Sequence, residues 1–140
     1  MDAKLKEALF KAVRKEPFAQ AFNITLKELD LGYSVVEMKY DPDRMDNIYQ
    51  SAHGGALFGL IDEAFETACQ TEGTIAVALN MNVTYVASPM AGARLNAVAR
   101  QISQTKKTAS FDIKVTDETG ALIASCSALA YRTGKPIPFL

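Results

Sequence analysis

The hydrophobic residues between positions 57 and 68 recur every three or four residues. They are Leu57, Leu60, Ile61, Ala64, Phe65 and Ala68. This one-sided repeat predicts an amphipathic helix from about His53 to Gln70. A similar repeat over residues 3–15 predicts a short helix that ends before Pro17, since proline disrupts a helix interior.

Most of the remaining chain alternates hydrophobic and polar residues with a period of two, which is typical of half-buried strands. The predicted strands cover residues 22–29, 33–40, 75–86, 93–102, 109–116 and 121–131. Turn-forming residues separate them, at 41–44 and around Gly92 and Gly120. Because the connections between successive strands are short, the pairing is predicted to be antiparallel.

One mainly apolar helix and six strands predict an α+β fold, in which the helix packs against one face of the sheet. A curved six-stranded antiparallel sheet wrapped around one long central helix fits this pattern. We expect residues 1–140 to form a single domain, with an N-terminal helical segment over 1–16 and an irregular tail over 134–140. Two sheets joined edge to edge would protect an edge strand in each subunit, so we expect a homo-oligomer.

Composition narrows the partners and the compartment. The charges nearly balance, with 15 Lys and Arg against 16 Asp and Glu, which gives no basic bias toward nucleic acid. No apolar run approaches the roughly 20 residues that span a bilayer, and no secretory leader is evident, so we expect a cytoplasmic protein without membrane association. Cys69 and Cys126 are predicted to be buried free thiols, and the single histidine argues against an intrinsic metal site.

Candidate chemistry is concentrated where the long helix begins. Asn47, His53, Gly54, Gly55 and Asp62 fall within sixteen residues. The first amide groups of a helix have no intrahelical partner, and glycine lets a ligand approach them closely. Such donors, at the positive end of the helix dipole, can hold a carbonyl oxygen that gains negative charge.

Each of these residues also has an ordinary structural interpretation. The paired glycines can have only a packing role, Asp62 can be a solvated surface acid, and His53 can be a residue at the start of the helix without a catalytic role. The helix periodicity places Asp62 beside Phe58 and Phe65, at the flank of the apolar stripe. Burial there, with Glu66 one turn away, is expected to raise the pKa of Asp62.

The complete set resembles the hotdog-fold acyl-CoA thioesterases of the phenylacetate-degradation type over about residues 20–133. In that branch an Asn lies six residues before the His-Gly-Gly, and an Asp lies nine residues after the His, as Asn47, His53 and Asp62 do here. The segments Met81–Tyr85 and Lys107-Thr108 also match. The resemblance departs at Ala78, where some relatives carry a serine.

The resemblance implies hydrolysis of an acyl- or aryl-CoA thioester without a separate cofactor. Asp62 would be the general base or nucleophile, the Gly54 N–H would polarise the thioester carbonyl, Asn47 would help position water or thioester, and His53 would support the reaction centre. In relatives two subunits share the site, so Asn47, His53 and Gly54 should face Asp62 of a second copy. At least a homodimer is expected, and further a homotetramer built as a dimer of dimers.

Substrate binding is assigned to a larger group of residues, partly by resemblance and partly by charge. They are Gly55, Phe58, Glu66, Asn82, Lys106, Lys107 and Thr108, with Arg94, Arg100 and Arg132 as further cations. The two lysines are candidates for CoA phosphates, although solvated turn lysines explain them equally well.

Two other functions compete with hydrolysis. One is a hotdog module that binds acyl-CoA without catalysis, and the other is hydration or dehydration of an acyl thioester on the same fold. Relatives of the second kind pair a catalytic histidine with an acid in a different motif, whereas the sole histidine here belongs to the His-Gly-Gly series. The acyl group itself is left open by the sequence.

Overall fold

Four helices and six strands form the chain in the computed structural model, which describes all 140 residues. The helices are α1 (Ala3–Lys15), α2 (Pro17–Ala21), α3 (Pro42–Met45) and α4 (Gly54–Cys69). The strands are β1 (Thr25–Asp30), β2 (Tyr33–Lys39), β3 (Thr74–Tyr85), β4 (Arg94–Gln104), β5 (Thr108–Thr116) and β6 (Leu122–Pro136). None of the helices combines the length and apolar character needed to cross a membrane.

The six strands form one sheet in the order β1-β2-β4-β5-β6-β3, and every neighbouring pair is antiparallel. The predicted sheet is therefore confirmed. Its register aligns small and branched side chains across the centre, where Val36 pairs with Ala97 and Ala97 with Val115. β1 and β3 are the two edges, and β3 is twelve residues long.

α4 lies across the sheet and packs against β2, β4, β5 and β3. All six residues of its predicted apolar stripe are buried, and the Phe65 ring meets the Phe111 ring edge-on with their centroids 5.3 Å apart. The facing strands contribute many small side chains, among them the buried Ala97, Ala99 and Ala130. Small residues let the helix approach the sheet closely, so the predicted sheet around a central helix is confirmed.

The N-terminal segment packs against β1 through α1 and touches α4 through α2. Leu5, Leu9 and Val13 form the buried stripe of α1. In α2 the ring of Phe18 lies against Gly59 of α4, where a Cβ on residue 59 would come within 2.7 Å of the Phe18 Cζ. Gly59 therefore permits a ring from the N-terminal segment to rest on the central helix.

Three local differences separate the structure from the sequence-based prediction. Residues 22–24 precede β1 instead of belonging to it, because Pro17 begins the short helix α2. The predicted turn after Tyr40 contains α3, whose N-cap Asp41 accepts a hydrogen bond from the Asp43 N–H. β6 continues to Pro136, so the first residues of the predicted irregular tail belong to a strand.

Both cysteines are free thiols, as predicted. Cys126 is buried in β6, and Cys69 is half-buried at the end of α4. Burial is the largest cause of a raised pKa in each, to about 12 for Cys69 and to about 11 for Cys126. Neither group therefore carries appreciable negative charge near neutral pH.

The turn between β1 and β2 provides a test of this packing. Gly32 has a φ of +63°, donates its N–H to the Thr71 hydroxyl over 2.8 Å, and would place a Cβ 2.8 Å from the Cβ of Gln101. Gly120 has a similar φ of +84°, but a Cβ added there would have no atom within 4 Å. The two positions share a left-handed backbone, but only Gly32 is crowded.

We predict that Gly120→Ala lowers the free energy of unfolding by about 1–2 kcal/mol, since a left-handed backbone is unfavourable for alanine. Gly32→Ala should cost roughly 1–3 kcal/mol more, because its methyl group overlaps Gln101. Urea unfolding of both variants measures the difference. Equal losses would show that crowding at Gly32 is relieved without cost.

Candidate active site

His53 forms the N-cap of α4. The Nδ1 of its ring accepts the Gly55 N–H over 2.8 Å, and its backbone N–H donates to the Met45 carbonyl over 2.7 Å. The capping bond satisfies one of the free amides at the start of the helix. Because Nδ1 is the acceptor, a neutral ring carries its proton on Nε2, and that nitrogen can donate outward from the exposed side chain.

Gly54 is the first residue of α4, and its N–H has no hydrogen-bond acceptor within the chain. The opposite side of the residue is closed by Tyr85 at the end of β3. The Tyr85 hydroxyl donates to the Gly54 carbonyl over 3.1 Å, and a Cβ added to Gly54 would lie 3.1 Å from the Tyr85 Cζ. Tyr85 thus fixes the backbone around the free N–H that defines the candidate anion site.

Asn47 organises the loop before the helix. Its Oδ1 accepts the Tyr49 N–H over 2.9 Å and both the N–H and the hydroxyl of Ser51 over 3.2 Å. The Asn47 N–H in turn donates to the Ser51 carbonyl over 2.8 Å. The oxygen of this amide is therefore committed to loop structure, and its Nδ2 is the group that can donate to a ligand.

Asp62 lies half-buried on the flank of α4 and accepts no hydrogen bond within the chain. Burial raises the pKa of its carboxyl group, as predicted, whereas Glu66 is not among the causes. Asp62 follows Gly54 by eight residues, which corresponds to about 12 Å along a helix. One chain therefore does not bring the Asp62 carboxylate and the Gly54 N–H to the same small group.

The remaining predicted residues on α4 differ in whether their groups are free to contact a ligand. The Gly55 N–H is used by His53, and Phe58 is half-buried. The pKa of Glu66 is raised to about 7, first by burial and then by the charges of Glu16 and Asp62.

The other predicted contacts lie on the sheet. Asn82 is exposed on the edge strand β3, where its Nδ2 donates to the Asn80 Oδ1 over 2.6 Å. Thr108 closes the turn between β4 and β5, since its hydroxyl lies 2.9 Å from that of Thr105. The turn therefore has a fixed shape that presents the residues between these two threonines.

The cations at this turn form a cluster. Lys106 and Lys107 are both exposed, with the Lys107 Nζ 5.7 Å from the centre of the Tyr131 ring. Arg132 lies at the same turn, where it donates to the Thr105 carbonyl over 2.7 Å and also pairs with Glu72. The other two candidate arginines lie elsewhere: the Arg94 N–H bonds to Glu118, and the Arg100 guanidinium stacks over Tyr33.

Two features of this region were not predicted from the sequence. The first is the bond of Tyr85 to Gly54, which joins residues 31 positions apart and which no local pattern indicates. The second is the burial of Glu63, which is only 2% exposed. Its charge gave no signal of burial, since glutamate is rarely buried without a partner.

An antiparallel sheet wrapped around one central helix is the architecture of the hotdog class of proteins. Residues 49–124 match the family described as the Thioesterase superfamily. The Escherichia coli acyl-coenzyme A thioesterase PaaI is 34% identical over 119 residues, which cover 85% of this chain and 84% of that protein. The chain therefore belongs to the thioesterase superfamily.

Solved structures agree with this assignment. The E. coli PaaI protein from the phenylacetic acid degradation operon matches with a TM-score of 0.90, at 31% identity and 96% coverage of both chains. A Streptococcus mutans protein bound to acetyl CoA matches with a TM-score of 0.77 at 25% identity, over 82% of this chain and 92% of the other. The predicted resemblance to phenylacetate-degradation-type hotdog thioesterases and the predicted enzyme class, thioester hydrolase, are confirmed.

Proposed function

We propose that the protein hydrolyses acyl-CoA thioesters to a free acid and CoA, at a site completed by a second copy of the chain. The observation that carries this proposal is the unpartnered Gly54 N–H at the start of α4. The names of its relatives, which include an acyl-coenzyme A thioesterase and a structure bound to acetyl CoA, support the substrate class.

The thioester carbonyl binds at the start of α4 in this mechanism. Its oxygen accepts the Gly54 N–H, and the positive end of the helix dipole stabilises the charge that develops during attack. The outward Nε2–H of His53 and the Nδ2 of Asn47 are further donors for the thioester or for water. These donors are already oriented by Tyr85, by the Gly55 N–H and by the loop bonds of Asn47.

Asp62 provides the acid–base group. Its carboxylate has no partner in the chain, so it is free to accept a proton from water or to attack the carbonyl carbon directly. Burial raises its pKa, which makes the carboxylate a stronger base than a solvated aspartate. Water attack and direct nucleophilic attack are both consistent with this position.

The second copy is required by distance. Gly54 and Asp62 are about 12 Å apart along α4, too far to act on one carbonyl group from a single chain. The edge strand β3 offers the surface for a partner, because its Val77 and Leu79 side chains are 47% and 56% exposed. Pairing of β3 with β3 of a partner would cover this edge. Since Tyr85 of β3 touches Gly54, such pairing also places the start of α4 at the interface.

The CoA phosphates are assigned to the cluster of Lys106, Lys107 and Arg132. The two exposed lysines at one structured turn form an attractive site for phosphate groups, and Arg132, which pairs with Glu72, is held beside them by the Thr105 carbonyl. A homotetramer formed by two such dimers is a further prediction from the family resemblance.

Asp62→Asn should lower kcat/KM for acyl-CoA at least about a hundredfold, because the amide keeps the shape but cannot act as a base. A thiol-release assay over a panel of acyl- and aryl-CoA substrates measures this loss. The exposed Asp43→Asn is the matched control and should retain wild-type activity. Near-wild-type hydrolysis by Asp62→Asn would exclude Asp62 from the chemistry.

In the wild type, kcat/KM should fall as the pH drops through the raised pKa of Asp62, since protonation removes the base.

The Gly54 N–H can be removed with little disturbance. Proline is favoured at the first position of a helix, and His53, with φ −65° and ψ 131°, already has the backbone that precedes proline. We predict that Gly54→Pro lowers kcat/KM at least about a hundredfold, as loss of one oxyanion donor does elsewhere. Gly54→Ala adds a similar Cβ beside Tyr85 but keeps the N–H, and it should lose much less. Equal losses in the two variants would assign the effect to crowding.

Mixing the two inactive variants tests whether subunits share the site. In a heterodimer of Asp62→Asn and Gly54→Pro, one of the two sites combines an intact Gly54 with an intact Asp62. Random reassembly after joint unfolding and refolding should therefore restore roughly a quarter of wild-type activity. Each variant refolded alone is the control. Failure to recover activity, with mixed dimers demonstrated by mass spectrometry, would place both groups of a site in one chain.

A further inference from the structure

Three glutamates meet where the N-terminal helices cross α4. Glu16 lies at the junction of α1 and α2, and Glu63 and Glu66 lie on adjacent turns of α4. One carboxylate oxygen from each residue lies within 4.8 Å of those from the other two. We call Glu16, Glu63 and Glu66 the glutamate triad.

The triad has no positive counterpart. The ion pairs of the chain involve other acids, and none joins a lysine or arginine to Glu16, Glu63 or Glu66. Glu63 is 2% exposed, and its Oε1 has no hydrogen-bond partner. An unpaired buried carboxylate is costly, and two further carboxylates beside it increase that cost. A proton shared between Glu63 and Glu16, or a bound cation, would therefore neutralise this position.

Burial and the neighbouring acids raise the pKa of Glu63 and Glu66. This direction shows that the position favours any species that reduces its negative charge, either a proton or a cation. The access route to the triad favours a cation over a proton more clearly than the spacing of the carboxylates does.

A groove of about 470 Å³ lies between α1, α4 and the C-terminal residues Ile137–Phe139, and two members of the triad line it. Glu16 and Glu66 line it, together with the polar side chains of Thr67 and Gln70. The groove provides an entry path for an ion and room for the water ligands that complete its coordination.

We propose that the glutamate triad binds a hard divalent cation of the calcium or magnesium class. Carboxylate oxygens are the preferred ligands of these ions, and Ca²⁺ is coordinated at about 2.3–2.6 Å. Two oxygens on opposite sides of a bound Ca²⁺ lie just under ~5 Å apart, and the oxygens of the triad lie within 4.8 Å of one another, close enough to share one ion. The ion would tie the α1–α2 corner to α4 through Glu16. This proposal does not depend on the proposed reaction.

Calorimetric titration of the chelator-treated full chain with CaCl₂ and separately with MgCl₂, at about pH 7.5, tests the proposal. We expect one ion to bind per chain and to raise the melting temperature. Glu63→Gln should weaken binding at least about tenfold, because it removes the buried ligand charge. The matched control is Glu7→Gln, an exposed acid on α1, which should bind as the wild type does.

Glu16→Gln serves as a second variant, since its half-buried side chain can be changed without adding an unpaired group to the core. Weaker binding by Glu16→Gln supports the triad even if Glu63→Gln does not fold. No heat and no melting shift with either salt up to ~10 mM would overturn the proposal, because the weakest protein calcium sites saturate below that concentration. Binding that is unchanged in both triad variants would also overturn it, since the ion would then sit elsewhere.

Discussion

The burial of one face of α4 against the sheet is the constraint on which the rest of the structure depends. The stripe from Leu57 to Ala68 is almost fully removed from water, so the helix cannot rotate about its axis without exposing it. That fixed rotation holds Asp62 on a flank, half-buried and without a hydrogen bond. The same packing places the start of the helix, which is capped by His53, at the rim of the sheet, where Gly54 lies beside Tyr85.

The parts of the fold that were predictable from the sequence are those whose signal is local. α1 and α4 follow from a 3.6-residue repeat, and the six strands follow from alternation between turn residues. The missed elements are short ones that begin with a proline. Pro17 ends α1 but also occupies the first position of α2, and Pro42 occupies the same position in α3. A proline at a boundary can end one helix or begin another, and at Pro17 the burial of Ala19 and the contact of Phe18 with Gly59 favour a second helix.

The same distinction divides the candidate site. The spacing within the motif indicated the start of the helix and the partly buried acid, because both depend on residues close in the chain. The use of the His53 Nδ1 as a cap and the contact of Tyr85 with Gly54 depend on the folded geometry. Glu63 is the extreme case, since a charged residue gives no sequence signal that a separate helix covers it.

The two thiols, one buried and one half-buried, have a consequence for an enzyme that liberates coenzyme A. Each turnover of the proposed reaction adds a free sulfhydryl compound to the surroundings, and its oxidised dimer exchanges with protein thiolates. Cys69 and Cys126, with pKa values raised to about 12 and 11, are almost entirely protonated near neutrality. Burial, aided at Cys69 by the nearby charge of Glu66, therefore disfavours mixed-disulfide formation with the leaving group of the proposed reaction.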